Sequence, residues 1–232
     1  MRRCGAQDPR AIVPGDPAAL EMLLDAGRGH VRAVTLAPET DRIGDLLRIC
    51  AERGLVASFG HTDAGYDLTA RTIDAANALG LTVTATHLFN AMPPVHHREP
   101  GAAGALLAAS ARGEAIVELI ADGDYVLGTL PVIVDGGVAR LKDGGNIAGG
   151  TSTIFDQVMR MLHRGIDPAD VARMASATGA KVTGFADRGA VAVGKGADLL
   201  LCDDAPEGTP PHHHGGDTTP PTVIIAGERK ER

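Results

Sequence analysis

The sequence predicts an α/β fold in which helices cover a parallel sheet. Short apolar runs rich in β-branched residues alternate with Ala-rich amphipathic segments along the first half of the 232-residue chain. Aromatic residues make up only 3% of the chain and Trp is absent, so the core must come from Ala, Val, Leu and Ile. This alternation is typical of consecutive β-α units, whose crossovers place neighbouring strands parallel to one another.

The elements of the first half follow in order. Asp16 followed by Pro17 is an N-cap with proline at the first helical position, which predicts a helix to about residue 26. Gly54 and Gly80 end two later helices. Hydrophobic periodicity predicts strands over 31–36, 55–59, 81–86 and 115–121, and helices over 41–53, 66–79 and 102–111.

The pattern changes in the second half. Short runs broken by glycine predict a β-hairpin or meander over about 125–141 and further short strands over 189–202. Helices are predicted over 151–165 and 167–178. The Pro-, Gly- and Thr-rich stretch 203–221 predicts a flexible loop. Its run of His212, His213 and His214 could bind metal adventitiously, but its setting between Pro-Pro and Gly-Gly favours a loop without a catalytic part. A last strand is expected over 223–226, before a charged tail.

Composition bounds the function. A formal net charge of −7 argues against non-specific nucleic-acid binding. No run of 18 apolar residues and no secretory signal is visible, so neither a membrane span nor secretion is expected. Cys4, Cys50 and Cys202 are scattered and odd in number, which indicates reduced thiols. A cytoplasmic protein is therefore expected.

Three ligand-type residues follow successive predicted strands: Glu39, His61 and His87. Their spacing is close to that of one β-α unit, about 25–30 residues, so parallel strands should place all three on one rim of the sheet. A carboxylate and two imidazoles can hold a divalent ion and leave positions for water and substrate. Singly, Glu39 could instead cap the next helix, His61 could be a turn residue and His87 a core histidine. Their coincidence at three strand ends favours a metal site.

The loop after the third predicted strand adds polar binding groups. Asn90 can both donate and accept hydrogen bonds, and Arg98 offers a planar fork that suits a phosphate or a carboxylate. Polar loops at strand ends are where α/β proteins commonly bind and transform substrates.

Several segments together carry a family resemblance. They are Thr35-Leu-Ala-Pro-Glu39, Gly60-His-Thr-Asp-Ala64, Thr86-His-Leu-Phe-Asn-Ala-Met92, Arg98-Glu-Pro-Gly101, Leu119-Ile-Ala-Asp-Gly123, Val138-Ala-Arg-Leu141 with Ala148-Gly149, and Gly189 to Asp198. As a set, they resemble the N-acetylglucosamine-6-phosphate deacetylase family of the amidohydrolase superfamily. The resemblance extends over nearly the whole chain.

The resemblance implies an incomplete (β/α) TIM-type barrel of the metal-dependent amidohydrolases over 1–188, with an accessory β-segment over 189–232. It implies a divalent metal ion, Zn²⁺ or Fe²⁺, held by Glu39, His61 and His87. Asn90 and Ala91 match the residues that contact the substrate. Arg98 matches a phosphate-binding arginine that the family typically offers across a homodimer interface. The implied reaction converts N-acetylglucosamine 6-phosphate into glucosamine 6-phosphate and acetate.

The sequence also departs from the family's pattern. Gly5-Ala6-Gln7 stands where the family has Gly-Ala-His, and Gln7 can hydrogen-bond to a substrate but cannot carry charge. The family's first barrel strands have no counterpart, and about one β-α unit, roughly 30 residues, is expected to be missing after Asp122-Gly123. That unit carries the family's catalytic aspartate, and neither Asp122 nor Asp135 matches its position. The catalytic residue is therefore unassigned.

Two hypotheses of function follow, with a third that is weaker. The first is a deacetylase acting on N-acetylglucosamine 6-phosphate. The second is a non-catalytic remnant that binds metal and sugar phosphate, because loss of a general acid/base removes about 10²–10⁴-fold of rate. The third is a dihydroorotase-like or allantoinase-like activity, against which the loop with Asn90 and Arg98 argues.

Overall fold

The computed structural model describes residues 3–5, 7–120, 138–140, 147–150, 152–202 and 221–230. The chain forms two compact units. The first comprises Met1–Ile133 and Arg140–Gly149, and the second comprises Val134–Ala139 and Gly150–Arg232. The predicted boundary between a barrel portion and an accessory segment at residue 188 stays a prediction.

The first unit contains a parallel sheet whose strands are ordered as they occur in the chain. Its described strands are β1 (Ala33–Leu36), β2 (Val56–Phe59), β3 (Val83–Ala85) and β4 (Ile116–Val117). The helices are α1 (Pro17–Ala26), α2 (Ile43–Glu52), α3 (Tyr66–Ala78) and α4 (Gly101–Ala111), preceded by a 3₁₀ turn at Pro9–Ala11. The predicted succession of β-α units is confirmed.

All four helices pack on the same face of this sheet. One continuous core joins alternate strand residues to side chains of each helix; its members include Leu24, Leu47, Cys50, Ala57, Phe59, Ile73, Ala76, Val83, Ala85, Leu106 and Ala109. A doubly wound sheet carries helices on both faces, whereas a (β/α) barrel keeps them all outside. The fold is therefore α/β of the incomplete (β/α)-barrel type.

The face of the sheet opposite the helices is polar. Thr35, Ser58 and Thr84 lie beside one another in register on β1, β2 and β3. Ser58 is 4% exposed and Thr84 is fully buried. Since strand side chains alternate between faces, the residues flanking this row, such as Ala57 and Phe59, enter the helix-covered core instead. A polar inner surface thus leads up to the ends of the strands.

Further along the chain, β5 (Val138–Arg140) and β6 (Ile147–Gly150) are short strands. Helix α5 (Ile154–His163) begins with a capping box formed by Thr153 and Asp156. Helix α6 (Pro168–Ala172) continues through a π-helical turn, Arg173–Ala177, into α7 (Thr178–Thr183), so this helical stretch runs past its predicted end at residue 178. An antiparallel sheet contains β7 (Leu199–Leu201), β8 (Thr222–Ile225) and β9 (Glu228–Lys230).

Three predictions about strands need correction. The fourth strand is only two residues long, although Glu118 still donates its N–H to the Ala85 carbonyl and accepts a bond from Leu88 N–H. Of 189–202, only Leu199–Leu201 is a strand. The charged tail forms β9, because Ala226 and Gly227 both have positive φ and make a tight turn that returns the chain along β8.

Two predicted features, the start of the 125–141 hairpin (125–137) and the loop over 203–220, lie outside the described residues. Within the part of the chain that the structure describes, no helix has the length and apolar character needed to cross a membrane.

Candidate metal centre

His61 and His87 meet at the carboxyl ends of two adjacent parallel strands. The sheet pairing continues to the residue before each histidine, because Gly60 N–H donates to the Leu36 carbonyl (3.2 Å) and Thr86 N–H donates to the Phe59 carbonyl (3.0 Å). Both histidines then turn into positive φ, at 48° and 33°. The Nε2 atoms of the two rings face each other at 3.0 Å, and the ring centroids are 4.8 Å apart. Two imidazole nitrogens therefore converge at one point above the sheet.

A hydrogen bond to the backbone fixes which ring nitrogen of His61 donates. A carbonyl can only accept, so His61 must donate its Nδ1–H to the backbone carbonyl of Arg3, at 3.0 Å. In the neutral ring, Nε2 of His61 then bears the lone pair, and whether Nε2 of His87 donates to it across the 3.0 Å contact depends on the tautomer of His87. Metal-binding histidines commonly have the non-ligating nitrogen held in this way.

The spacing of the pair fits a divalent ion. Two nitrogens bound to one tetrahedral Zn²⁺ at about 2.0–2.1 Å lie roughly 3.3 Å apart. The observed 3.0 Å between the Nε2 atoms is close to this separation. Burial, helped by the neighbouring His61, lowers the pKa of His87 below its usual value, although the Glu118 charge opposes the shift. His87 is thus neutral near pH 7, the form that binds metal.

Glu39 lies against the loop that contains His61. Its carboxylate accepts hydrogen bonds from the Thr62 hydroxyl (2.5 Å) and from Asp63 N–H (2.8 Å). Helix α2 has no side-chain cap hydrogen bond at its N-cap residue, Arg42, and the Glu39 carboxylate bonds to the loop after β2 instead. Among the described residues, no three His, Cys, Asp or Glu side chains form a metal-binding group. The role of Glu39 as a third ligand stays a prediction.

The turn that follows β3 docks on the loop that follows β2. Thr62 N–H donates to the Ala91 carbonyl at 3.1 Å, and Ala91 has a positive φ of 52°. Asn90 is half-buried and donates from its side-chain nitrogen (3.3 Å) and its backbone N–H (3.0 Å) to the His87 carbonyl. Asn90 therefore supports the turn that carries His87, and its side-chain oxygen remains available as an acceptor.

The remaining predicted site residues lie in two clefts. Gln7 lines a cleft together with Gly60 and His61. Arg98 is exposed and lines a different cleft, at the N-terminus of α3, together with Arg71 and other residues. The structure thus brings Gln7 near His61 but does not bring Arg98 into the same cleft.

Sequence reasoning missed the groups that support the histidines. Arg3 acts through its backbone carbonyl, which no side-chain motif could reveal. Thr86 and Glu118 belong to a hydrogen-bonded row across the polar face of the sheet. Its signal was available in the sequence, because hydroxyl residues occupy matching positions in three successive strands.

Comparison with known proteins agrees with this geometry. Residues 59–230 match the model of the Amidohydrolase family. The chain is 34% identical to N-acetylglucosamine-6-phosphate deacetylase of Bacillus subtilis (strain 168), over 86% of this chain and 58% of that protein. The chain belongs to the amidohydrolase family. Amidohydrolases generally use a divalent metal ion, and the paired histidines fit such an ion.

Two further relatives extend the comparison. N-acetylgalactosamine-6-phosphate deacetylase of Escherichia coli O157:H7 is 29% identical over 86% of this amidohydrolase chain and 60% of its own length. The crystal structure of N-acetyl-D-glucosamine-6-phosphate deacetylase from Mycobacterium smegmatis is 33% identical, with a TM-score of 0.77, and covers 98% of this chain and 65% of that one. The chain thus spans about three fifths of the length of these relatives.

Proposed function

We propose that this amidohydrolase chain acts in the hydrolysis of the N-acetyl group of N-acetylglucosamine 6-phosphate, giving glucosamine 6-phosphate and acetate. The observation that carries the proposal is the pair of imidazole Nε2 atoms 3.0 Å apart at the ends of β2 and β3. Relatives named as deacetylases of this substrate favour catalysis over a non-catalytic remnant.

In this proposal, His61, His87 and Glu39 hold one divalent ion, Zn²⁺ or Fe²⁺. Such an ion, when bound, polarises a carbonyl and makes a bound water more acidic. The Arg3 carbonyl keeps the Nε2 lone pair of His61 available. Gln7, which lines the cleft with His61, and the Asn90–Ala91 turn beside His87 are the proposed contacts for the sugar and its acetamide. We assign no general acid or base among the described residues.

Arg98 is proposed to bind the phosphate of a substrate held by a second copy of the chain. Its exposed position in a cleft that does not include His61 supports this assignment over one within its own subunit. A planar guanidinium suits a phosphate because it can donate two parallel hydrogen bonds. The proposed assembly is therefore a homodimer.

The proposed location is the cytoplasm. The three cysteines are free, and the Cys202 side chain is exposed. Exposed reduced thiols are typical of proteins from a reducing compartment.

The first experiment measures acetate release from N-acetylglucosamine 6-phosphate by the zinc-loaded and iron-loaded protein. His61→Ala and His87→Ala should abolish it, and the zinc content of each variant is measured in parallel. His163→Ala, in α5, is a matched control that should keep both activity and metal. N-acetylgalactosamine 6-phosphate is the competing substrate. Metal binding by the wild-type chain without acetate release from either sugar would instead favour the non-catalytic hypothesis.

A complementation experiment tests the role of Arg98 across subunits. His61→Ala and Arg98→Ala variants, each inactive alone, are mixed and allowed to exchange subunits. If Arg98 acts on the partner's site, one site in each mixed dimer combines an intact His61 with an intact Arg98 and activity returns. If mixing restores nothing although mass measurement shows mixed dimers, Arg98 does not act across the interface.

A further inference from the structure

A row of hydroxyl groups crosses the polar face of the sheet and ends on a carboxylate. Thr35 Oγ1 lies 3.1 Å from Thr86 Oγ1, which lies 2.5 Å from Ser58 Oγ. Thr84 Oγ1 lies 2.7 Å from Ser58 Oγ and 2.8 Å from a carboxylate oxygen of Glu118. Five side chains from four neighbouring chain segments thus form one hydrogen-bonded chain.

Thr84 joins the hydroxyl groups of this chain to the carboxylate of Glu118. The Thr84 hydroxyl is placed to donate to Ser58 and to Glu118, and its single proton serves one of these acceptors at a time. In the bonds that join Thr35, Thr86 and Ser58, either hydroxyl of each pair can donate. Because Ser58 and Thr84 are buried, water cannot readily replace these bonds, and a broken bond would leave a buried hydroxyl unsatisfied.

Thr86 connects this hydroxyl chain to the metal centre, because it immediately precedes His87. Its backbone N–H donates to the Phe59 carbonyl, and its side chain lies over Gly60, the residue immediately before His61. A Cβ placed on Gly60 would be only 2.8 Å from Thr86 Cβ. Thr86 thus holds the last paired residues of both strands at a fixed separation. Each histidine then leaves its strand through a positive φ, so a change in this separation moves the imidazoles.

We propose that Thr86 is a positioning residue for the His61–His87 pair and that the hydroxyl row ending on Glu118 holds Thr86 in place. This inference rests on the proposed metal-binding function of the pair. Thr86 touches neither substrate nor metal in this proposal. It determines the distance and orientation of two imidazoles that do bind the ion.

The test measures Zn²⁺ affinity by calorimetric titration of the metal-free protein. Thr86→Val keeps the shape of the side chain but removes the hydroxyl, and it should weaken zinc binding by about 10–100-fold, as for other groups that orient metal ligands. Thr86→Ser keeps the hydroxyl and should recover most of the affinity. Glu118→Leu should show an intermediate loss, because Thr84 loses its charged acceptor.

Thr72→Val is the matched control. Thr72 is 5% exposed and donates its hydroxyl to the Leu68 carbonyl at 2.9 Å, within α3. This substitution also removes a buried hydroxyl, but it lies outside the row, so zinc affinity should equal that of the wild-type protein. A loss of zinc affinity in Thr72→Val as large as in Thr86→Val would reduce the effect to general destabilisation and overturn the proposal.

Imidazole nitrogen NMR of the metal-free protein supplies a readout that needs no metal. The wild-type spectrum should show His61 protonated at Nδ1, and Thr86→Val should change the signals of both rings. Wild-type zinc affinity together with an unchanged imidazole spectrum in Thr86→Val would overturn the proposal. Equal losses of zinc affinity in Thr86→Ser and Thr86→Val would also overturn it, since the hydroxyl would then not matter.

Two other results remain decisive. If Thr86→Val does not fold, Glu118→Leu is the deciding variant, because Glu118 is exposed. Wild-type zinc affinity in Glu118→Leu would refute the role of the hydroxyl row. If the wild-type protein binds no zinc, the proposed function fails by itself. The imidazole spectra of the metal-free variants then decide the positioning role alone.

Discussion

Gly60→Ala should destabilise the protein because the added methyl has no room. The new Cβ would lie 2.8 Å from Thr86 Cβ and 3.3 Å from the Thr86 backbone oxygen. Both atoms belong to the paired end of β3, so neither can move away as the tip of a flexible side chain would. Overpacking of this kind costs about 1–3 kcal/mol of unfolding free energy. For a chain of this size, the expected fall in Tm is about 2–12 °C.

The same substitution should disturb the histidine pair. Relief of the clash requires the ends of β2 and β3 to separate, and the residues that follow them are His61 and His87. Zinc affinity should therefore fall together with Tm.

Thermal unfolding followed by circular dichroism in chelator, with zinc titration of the folded protein, measures both effects. Gly44→Ala is the matched control. Nothing lies within 4 Å of a Cβ at Gly44, which is a helical residue of α2, so this change should raise stability by up to about 0.5–1 kcal/mol. A Gly60→Ala protein with wild-type Tm and zinc affinity would show that the strand ends are not held at contact distance, and the reasoning about the pair would be refuted.

Three further predictions concern other parts of the chain. Cys50 is fully buried, and burial raises the pKa of its thiol. In the native protein, a thiol reagent should therefore label the exposed Cys202 quickly and Cys50 only after unfolding. Quick labelling of both cysteines would contradict the buried position of Cys50. Glu99→Ala removes a carboxylate that accepts from the first backbone N–H of α3 at 3.3 Å, and it should cost about 0.5–2 kcal/mol in chemical denaturation, whereas Glu99→Gln should retain most of the stability. Thr153→Ala breaks the capping box with Asp156. It should lower the unfolding free energy of the unit that contains α5 by about 0.5–2 kcal/mol. A denaturation curve identical to that of the wild-type protein would contradict this prediction.

Local patterns predicted the first unit well because its elements carry their own signals. The Asp16-Pro17 pair begins α1, and the Asp16 side chain accepts the Ala18 N–H at 2.9 Å. Apolar periodicity separated helices from strands in the same region. Strand ends were less predictable: the fourth strand ends at Val117, although Glu118 still bonds to Ala85 and Leu88.

Pairing decided the elements that composition could not. The residues of β9 are charged and resemble a tail, yet they form a strand because the Ala226-Gly227 turn brings them beside β8. A strand's backbone bonds depend on a partner elsewhere in the chain, so a segment's own residues do not determine them.

The sequence by itself determined the α/β succession and the placement of His61 and His87 at the ends of successive strands, because both follow from periodicity and from the length of a β-α unit. Only the tertiary structure decided that the two Nε2 atoms face each other, that Arg98 lies in a different cleft, and that hydroxyls from three strands join in one row. These features depend on strand register and on turns with positive φ. Neither is encoded in the spacing of the residues alone, because each arises from contacts between segments that are distant in the chain.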